Sequence, residues 1–136
     1  MRMVYSYYVL DLVHRGHLRY MKNCKILAGD DGISVVGILT DKATMEKKPK
    51  PILSFDERIA LADAIKYNDL VVAQATYSPI PNIKALKPTI VIESASHAPE
   101  DIAEVSKHAE VIMFPYFPIQ SSSNIKNNIR RKPENG

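Results

Sequence analysis

The sequence predicts an α/β fold in three layers, a five-stranded, mainly parallel sheet between two layers of helices. Three observations carry this. Short apolar runs alternate with helix-patterned stretches along the chain, the order that right-handed crossovers turn into a parallel sheet covered on both faces. Ile33 to Leu39 is nearly continuously apolar, as an interior parallel strand is. A glycine-bearing turn with two histidines stands where the first strand yields to the first helix, and α/β proteins bind ligands at strand ends.

Taken in order, Val4 to Leu10 is rich in aromatic and β-branched residues and reads as the first strand, delivering Asp11 and His14 to its C-terminal edge. A helix follows, with Leu18, Met21, Cys24 and Lys25 in its pattern, Gly29 as its end and Asp30-Asp31-Gly32 as a turn. Ile33 to Leu39 is the second strand. Thr40 to Pro51 then reads as a basic loop closed by two prolines. Ser54 and Glu57 have capping-box spacing and open a helix whose apolar side is Ile59, Leu61, Ala62 and Ile65, which makes Glu57 a cap rather than a catalyst.

Leu70 to Ala73 is the third strand. Ser78-Pro79 reads as an N-cap with proline at the first helical position, and Ile80, Ile83 and Leu86 make the stripe of a short helix. Ile90 to Ile92 is the fourth strand, ending at Glu93-Ser94-Ala95-Ser96-His97. Pro99 to His108 is a helix, Val111 to Phe114 the fifth strand, and Gln120 to Lys126 opens a final helix with serines at its start.

Composition narrows the function. The 136 residues suit one domain over 1–130 with a polar tail at 131–136, and 46% hydrophobic with 24% charged residues is ordinary for a packed globular chain. Eighteen basic against fifteen acidic residues leave +3, gathered in Lys47, Lys48 and Lys50 and in Arg130 to Lys132. That is too little for a general nucleic-acid footprint, but one basic loop can meet a triphosphate. The single cysteine, Cys24, reads as a small buried hydrophobe. It excludes an internal disulfide and a multi-cysteine metal site. No apolar stretch is long enough for a membrane span and Met1-Arg2-Met3 does not open a signal peptide, so the expected location is cytoplasmic.

The organising stretch is Asp11-Leu12-Val13-His14-Arg15-Gly16-His17. Amides in the first turn of a helix lack intrahelical partners and carry the positive end of its dipole, so they favour an anion. Gly16 leaves room, and His14 and His17 add hydrogen-bond donors. The serine run from Ser121 to Ser123 reads either as plain capping or as a second phosphate contact.

His-Arg-Gly-His after an apolar strand resembles the HxGH motif of the nucleotidyltransferase superfamily, and Gln120-Ser-Ser-Ser-Asn-Ile-Lys126 resembles its second signature. The branch it looks most like is the cytidylyltransferases that activate glycerol 3-phosphate, phosphocholine, phosphoethanolamine or small phosphonates, and the likeness runs from about Val4 to Ile129. It implies a Rossmann-like sandwich and attack of a phosphate or phosphonate oxygen on the α-phosphorus of CTP, with release of pyrophosphate. On the matching positions it implies His14, His17 and Lys47 as catalytic residues, and Tyr8, Val9, Asp11, Gly16, Lys48, Ser121, Ser122 and Ser123 as nucleotide-binding residues. Mg2+ is expected to arrive mainly through the CTP phosphates. The partners implied are CTP, a small phosphate or phosphonate acceptor, and a second copy of the chain in a homodimer.

Three departures stand out: Tyr8-Val9-Leu10-Asp11 where many relatives have Gly-x-Phe-Asp, Glu93 to His97 where a Gly-Asp-Asp-like segment is usual, and Tyr116 where some have arginine. Adenylyl transfer from ATP is the alternative, since the superfamily shares both signatures. A non-catalytic nucleotide-binding domain is the reading from outside the enzymes.

Overall fold

A computed structural model of the chain describes residues 1–94 and 97–115. The final helix and Ser121 to Ser123 lie outside the described residues. The elements are β1 (Met3–Tyr8), α1 (Arg15–Ala28), β2 (Ile33–Leu39), α2 (Asp41–Thr44), α3 (Phe55–Ala64), β3 (Leu70–Gln74), α4 (Ile80–Leu86), β4 (Ile90–Ser94), α5 (Pro99–Ser106) and β5 (Glu110–Phe114). The five strands form one sheet in the order β3-β2-β1-β4-β5, and every pairing is parallel. This is the expected Rossmann-like α/β fold, wholly rather than mainly parallel.

Alternation along the strands sorts the core into two sides. Val4, Val36, Ile38 and Ile92 face α1 and α3, packing with Met21, Cys24, Ala28 and Ala62. Tyr5, Val35 and Val91 face α4 and α5, packing with Ile83 and Val105. Cys24 is fully buried, as its spacing suggests. Two residues expected in apolar stripes face outward instead: Leu18 is 38% exposed and Leu61 42%.

Two glycines are required by geometry. Gly29 ends α1 with φ +79°, a conformation that L side chains rarely adopt. Gly37 on β2 lies beneath the Tyr5 ring, where a Cβ would come within 2.0 Å of the phenol oxygen. Its bareness lets Tyr5 cross the strand and donate to Gln74 Oε1 at 2.6 Å.

The boundaries differ from expectation where polar contacts compete with the apolar pattern. β1 ends at Tyr8 rather than Leu10 because Leu10 turns to φ +60° and the Val9 carbonyl is taken by Arg58. The basic loop begins as a short helix, since Thr40 caps α2 by accepting from the Ala43 N–H at 3.1 Å. Ser78 accepts from the Ile80 N–H, which puts Pro79 in the cap position and starts α4 at Ile80. β4 runs on to Ser94, and α5 stops at Ser106.

In this strand order β1 and β4 lie where the winding reverses, the position at which open α/β sheets form a crevice at their C-terminal edge. The ladders show it opening. β1 pairs with β2 from Met3–Ile33 to Tyr8–Ile38, but among the described residues its register with β4 covers only Val4–Ile90 and Tyr5–Val91.

Candidate active site at the first helix N-terminus

β1 and the strained turn at Leu10 bring the chain to His14, which is the N-cap of α1 in extended conformation. The two histidines cap one another. His14 Nδ1 accepts from the Gly16 N–H at 3.0 Å, and His17 Nδ1 accepts from the His14 N–H at 3.2 Å, a capping box drawn in imidazoles. The rings lie 4.0 Å apart, and the Tyr8 ring meets His17 edge-on at 5.8 Å.

Two consequences follow for chemistry. A neutral imidazole carries one proton, and with each Nδ1 accepting, that proton sits on Nε2. The pair therefore offers two Nε2–H donors. Burial lowers the affinity of His14 for a further proton, and burial together with the neighbouring His14 brings His17 down to about 3. Both rings are neutral donors at pH 7. The sequence suggested open first-turn amides as the anion site; here the Gly16 and His17 amides donate to the His14 ring, which leaves the imidazole Nε2–H groups as the donors of the pair.

Asp11 is buried, and its two oxygens accept from the Ile52 and Leu53 N–H groups at 2.9 and 2.8 Å. It fastens the far end of the lysine-bearing connection to the turn before α1. Among the described residues no group of three His, Cys, Asp or Glu side chains could hold a metal ion. Gly16 is buried in the first turn of α1, Tyr8 packs on His17, and Val9 contributes its carbonyl to Arg58. Lys47 and Lys48 are exposed just past α2, on the connection that leaves the C-terminal end of β2. That connection is pinned on either side of them, by Asp11 at residues 52 and 53 and by Glu46, whose carboxylate accepts from the Tyr77 N–H at 2.9 Å.

Sequence reasoning noted Arg58 in an acidic-Arg pair like that of related cytidylyltransferases and gave it no role. Its guanidinium is sealed from solvent and donates to the carbonyls of Val9 and Leu39 at 2.7 Å each and of Leu53 at 3.2 Å, and it pairs with Asp41 at 2.7 Å. One side chain thus ties the ends of β1 and β2 to the lysine-bearing connection. A signal was present: Arg58, Ala62 and Ile65 stand at i, i+4 and i+7, the inward stripe of α3.

The family described as cytidylyltransferase-like matches residues 9–130, from the end of β1 through the site and beyond it. The chain belongs to the cytidylyltransferase-like family. Its members named as relatives are varied. It is 28% identical over 130 residues to the bifunctional protein HldE of Campylobacter fetus, covering 94% of this chain and 28% of that protein, and 32% identical over 117 residues to HldE of Helicobacter pylori strain J99, covering 83% and 25%. The chain thus spans about a quarter of the length of the HldE proteins. It is 30% identical over 122 residues to the FAD synthase of Korarchaeum cryptofilum, covering 85% of this chain and 82% of that enzyme. A lipopolysaccharide core biosynthesis protein from Thermoplasma volcanium has the same fold, with a TM-score of 0.73 over 86% of this chain and 98% of that one at 22% identity. Membership in this family makes the chain a nucleotidyltransferase-type protein, and no helix among the described residues is long and apolar enough to cross a membrane.

Proposed function

We propose that the protein transfers a nucleoside monophosphate from a nucleoside triphosphate to a phosphate-bearing acceptor, releasing pyrophosphate. The observation that carries this is the imidazole capping box at the start of α1, which engages both Nδ1 atoms and leaves two Nε2–H groups as donors. A phosphate monoester is largely dianionic at pH 7, so the acceptor needs no strong base. What the transfer needs is alignment and stabilisation of charge on the equatorial and leaving oxygens. His14 and His17 donate to those oxygens, while Lys47 and Lys48 supply positive charge from the exposed connection and Ser121 to Ser123 cap the triphosphate. Magnesium enters as part of the nucleotide substrate. Asp11 holds the 52–53 backbone beside the histidine turn through both its oxygens.

ATP is the donor this reading favours. A relative covered over most of both chains is named a FAD synthase, and FAD contains an adenylyl group joined to flavin mononucleotide. CTP is the second reading, favoured by the family's description and by the sequence signatures of phospho-alcohol and phosphonate cytidylyltransferases. Homodimer formation joins the proposal, with Val13 and Leu18 exposed beside the histidines as the apolar contribution to test by light scattering.

The deciding experiment is pyrophosphate release with Mg2+ and either ATP or CTP. The acceptor panel is flavin mononucleotide, glycerol 3-phosphate, phosphocholine, phosphoethanolamine and 2-aminoethylphosphonate. Release with ATP and one acceptor establishes the adenylyl reading, and release with CTP alone the cytidylyl one. Nucleotide binding without release across the panel and against larger sugar phosphates overturns the transfer reading.

A further inference from the structure

A third imidazole stands at the same edge of the sheet but on its other face. Tyr7 and Tyr8 alternate across β1, so Tyr8 lies with His17 under α1 while Tyr7 faces the α4 and α5 side. Where β1 and β4 part, Tyr7 is level with Glu93, two residues beyond the last paired positions Tyr5 and Val91. The Tyr7 hydroxyl donates to the Glu93 carboxylate, 2.7 and 2.8 Å from its two oxygens. His97 Nδ1 lies 2.5 Å from Glu93 Oε2 and 3.1 Å from the Tyr7 hydroxyl, with its ring stacked on Tyr7 at 5.4 Å. The Glu93 side chain is 1% exposed and that of His97 24%, so the imidazole is the part of this cluster that meets solvent.

The tautomer is fixed in the opposite sense to that of His14 and His17. An ionised carboxylate only accepts, so Nδ1 of His97 carries a proton, and in the neutral ring Nε2, across from Glu93, presents a lone pair. Such a group refuses a dianionic phosphate, which has no proton to give, and the Glu93 charge beside it adds to the refusal. It suits a hydroxyl.

We propose that His97 Nε2 accepts a hydrogen bond from a hydroxyl of the bound substrate, with Glu93 and Tyr7 as positioning residues, making the β1–β4 crevice the site that selects a hydroxylated ligand. This rests on the transfer reading above for the presence of a nucleotide and a phosphorylated acceptor. The hydroxyl belongs either to the ribose of the nucleotide or to the carbon chain of the acceptor.

The test is calorimetry on the full chain and its His97→Ala and His97→Gln variants. ATP and CTP are titrated beside their 2′-deoxy and 3′-deoxy counterparts. Flavin mononucleotide and glycerol 3-phosphate are titrated beside phosphocholine, which has no alcohol group, with the α,β-methylene nucleotide present to block transfer. His97→Ala is expected to weaken the hydroxylated ligand about 3- to 12-fold, the scale of one neutral hydrogen bond, and to leave the matching deoxy or hydroxyl-free ligand unchanged. His97→Gln, whose amide oxygen can accept, keeps part of the affinity. A loss confined to ribonucleotides assigns the ribose, and one confined to acceptors assigns the alcohol. Changes below twofold for every ligand that the wild-type protein binds overturn the proposal, as does a wild-type protein that binds none of them. A protein that binds nucleotide but never releases pyrophosphate refutes transfer alone, because the calorimetric comparison still decides the role of His97.

Discussion

Arg58 and Asp41 meet at 2.7 Å across the C-terminal edge of the sheet, the guanidinium wholly buried and the carboxylate side chain 38% exposed. The asymmetry decides what each is worth. Arg58→Met strips three backbone carbonyls of a buried donor and is expected to cost about 3–5 kcal/mol, whereas Asp41→Asn, whose amide oxygen can still accept from the guanidinium, is expected to cost less. Urea unfolding of the two variants checks the order, and equal losses contradict it.

His17 holds the entry to α1 as well as a donor position. His17→Ala is expected to lower kcat roughly 10²–10³-fold at saturating nucleotide, the scale of one lost transition-state donor, and to cost about 1 kcal/mol of stability from the broken cap. Steady-state kinetics beside thermal melts separates the two effects. A kcat within threefold of wild type removes His17 from the reacting centre.

The same residue makes stability depend on pH. Unfolded, a histidine takes its proton near 6.5; folded, His17 takes it at about 3, because burial and His14 oppose the charge. Between those values the unfolded chain binds more protons, so His17 makes stability rise with pH by about 1.4 kcal/mol per unit through that window and level off above it. Urea midpoints from pH 4 to 8 for the wild type and His17→Gln give the contribution as the difference between the profiles. The slope below 6.5 is expected to be shallower in the variant.

Gly37 is fixed by its neighbour across the sheet. Gly37→Ala sets a methyl carbon within 2.0 Å of the Tyr5 hydroxyl, which is itself engaged with Gln74 and Asn82, and is expected to destabilise by about 1–3 kcal/mol. The double variant Gly37→Ala with Tyr5→Phe regains part of the loss, and denaturation of the four members of that cycle measures how much.

The layers, the parallel sheet and the turn that starts the first helix were legible because they rest on local signals: apolar runs, a terminal glycine, a cap spacing. The interior polar links were not. Asp11 reads as a site carboxylate beside two histidines, and it also accepts from backbone amides forty residues on, which no local pattern announces. Glu93 and His97 stood out only as a departure from the usual motif, because their meaning depends on Tyr7, which reaches them through the sheet. Arg58 was hidden by its charge, since an arginine on an apolar stripe is easily credited to solvent.

Among the described residues, the short seam between β1 and β4 predicts an order in which the fold comes apart. With the ladder there reaching only from Val4–Ile90 to Tyr5–Val91, the β4–β5 side with α5 is joined to the rest by little backbone, and its amides should exchange with deuterium ahead of those in β1 and β2. On the roles proposed above, a substrate touching His17 on one face and His97 on the other would fasten the two parts like a clasp. Its arrival should slow exchange in β5, far from any atom it touches.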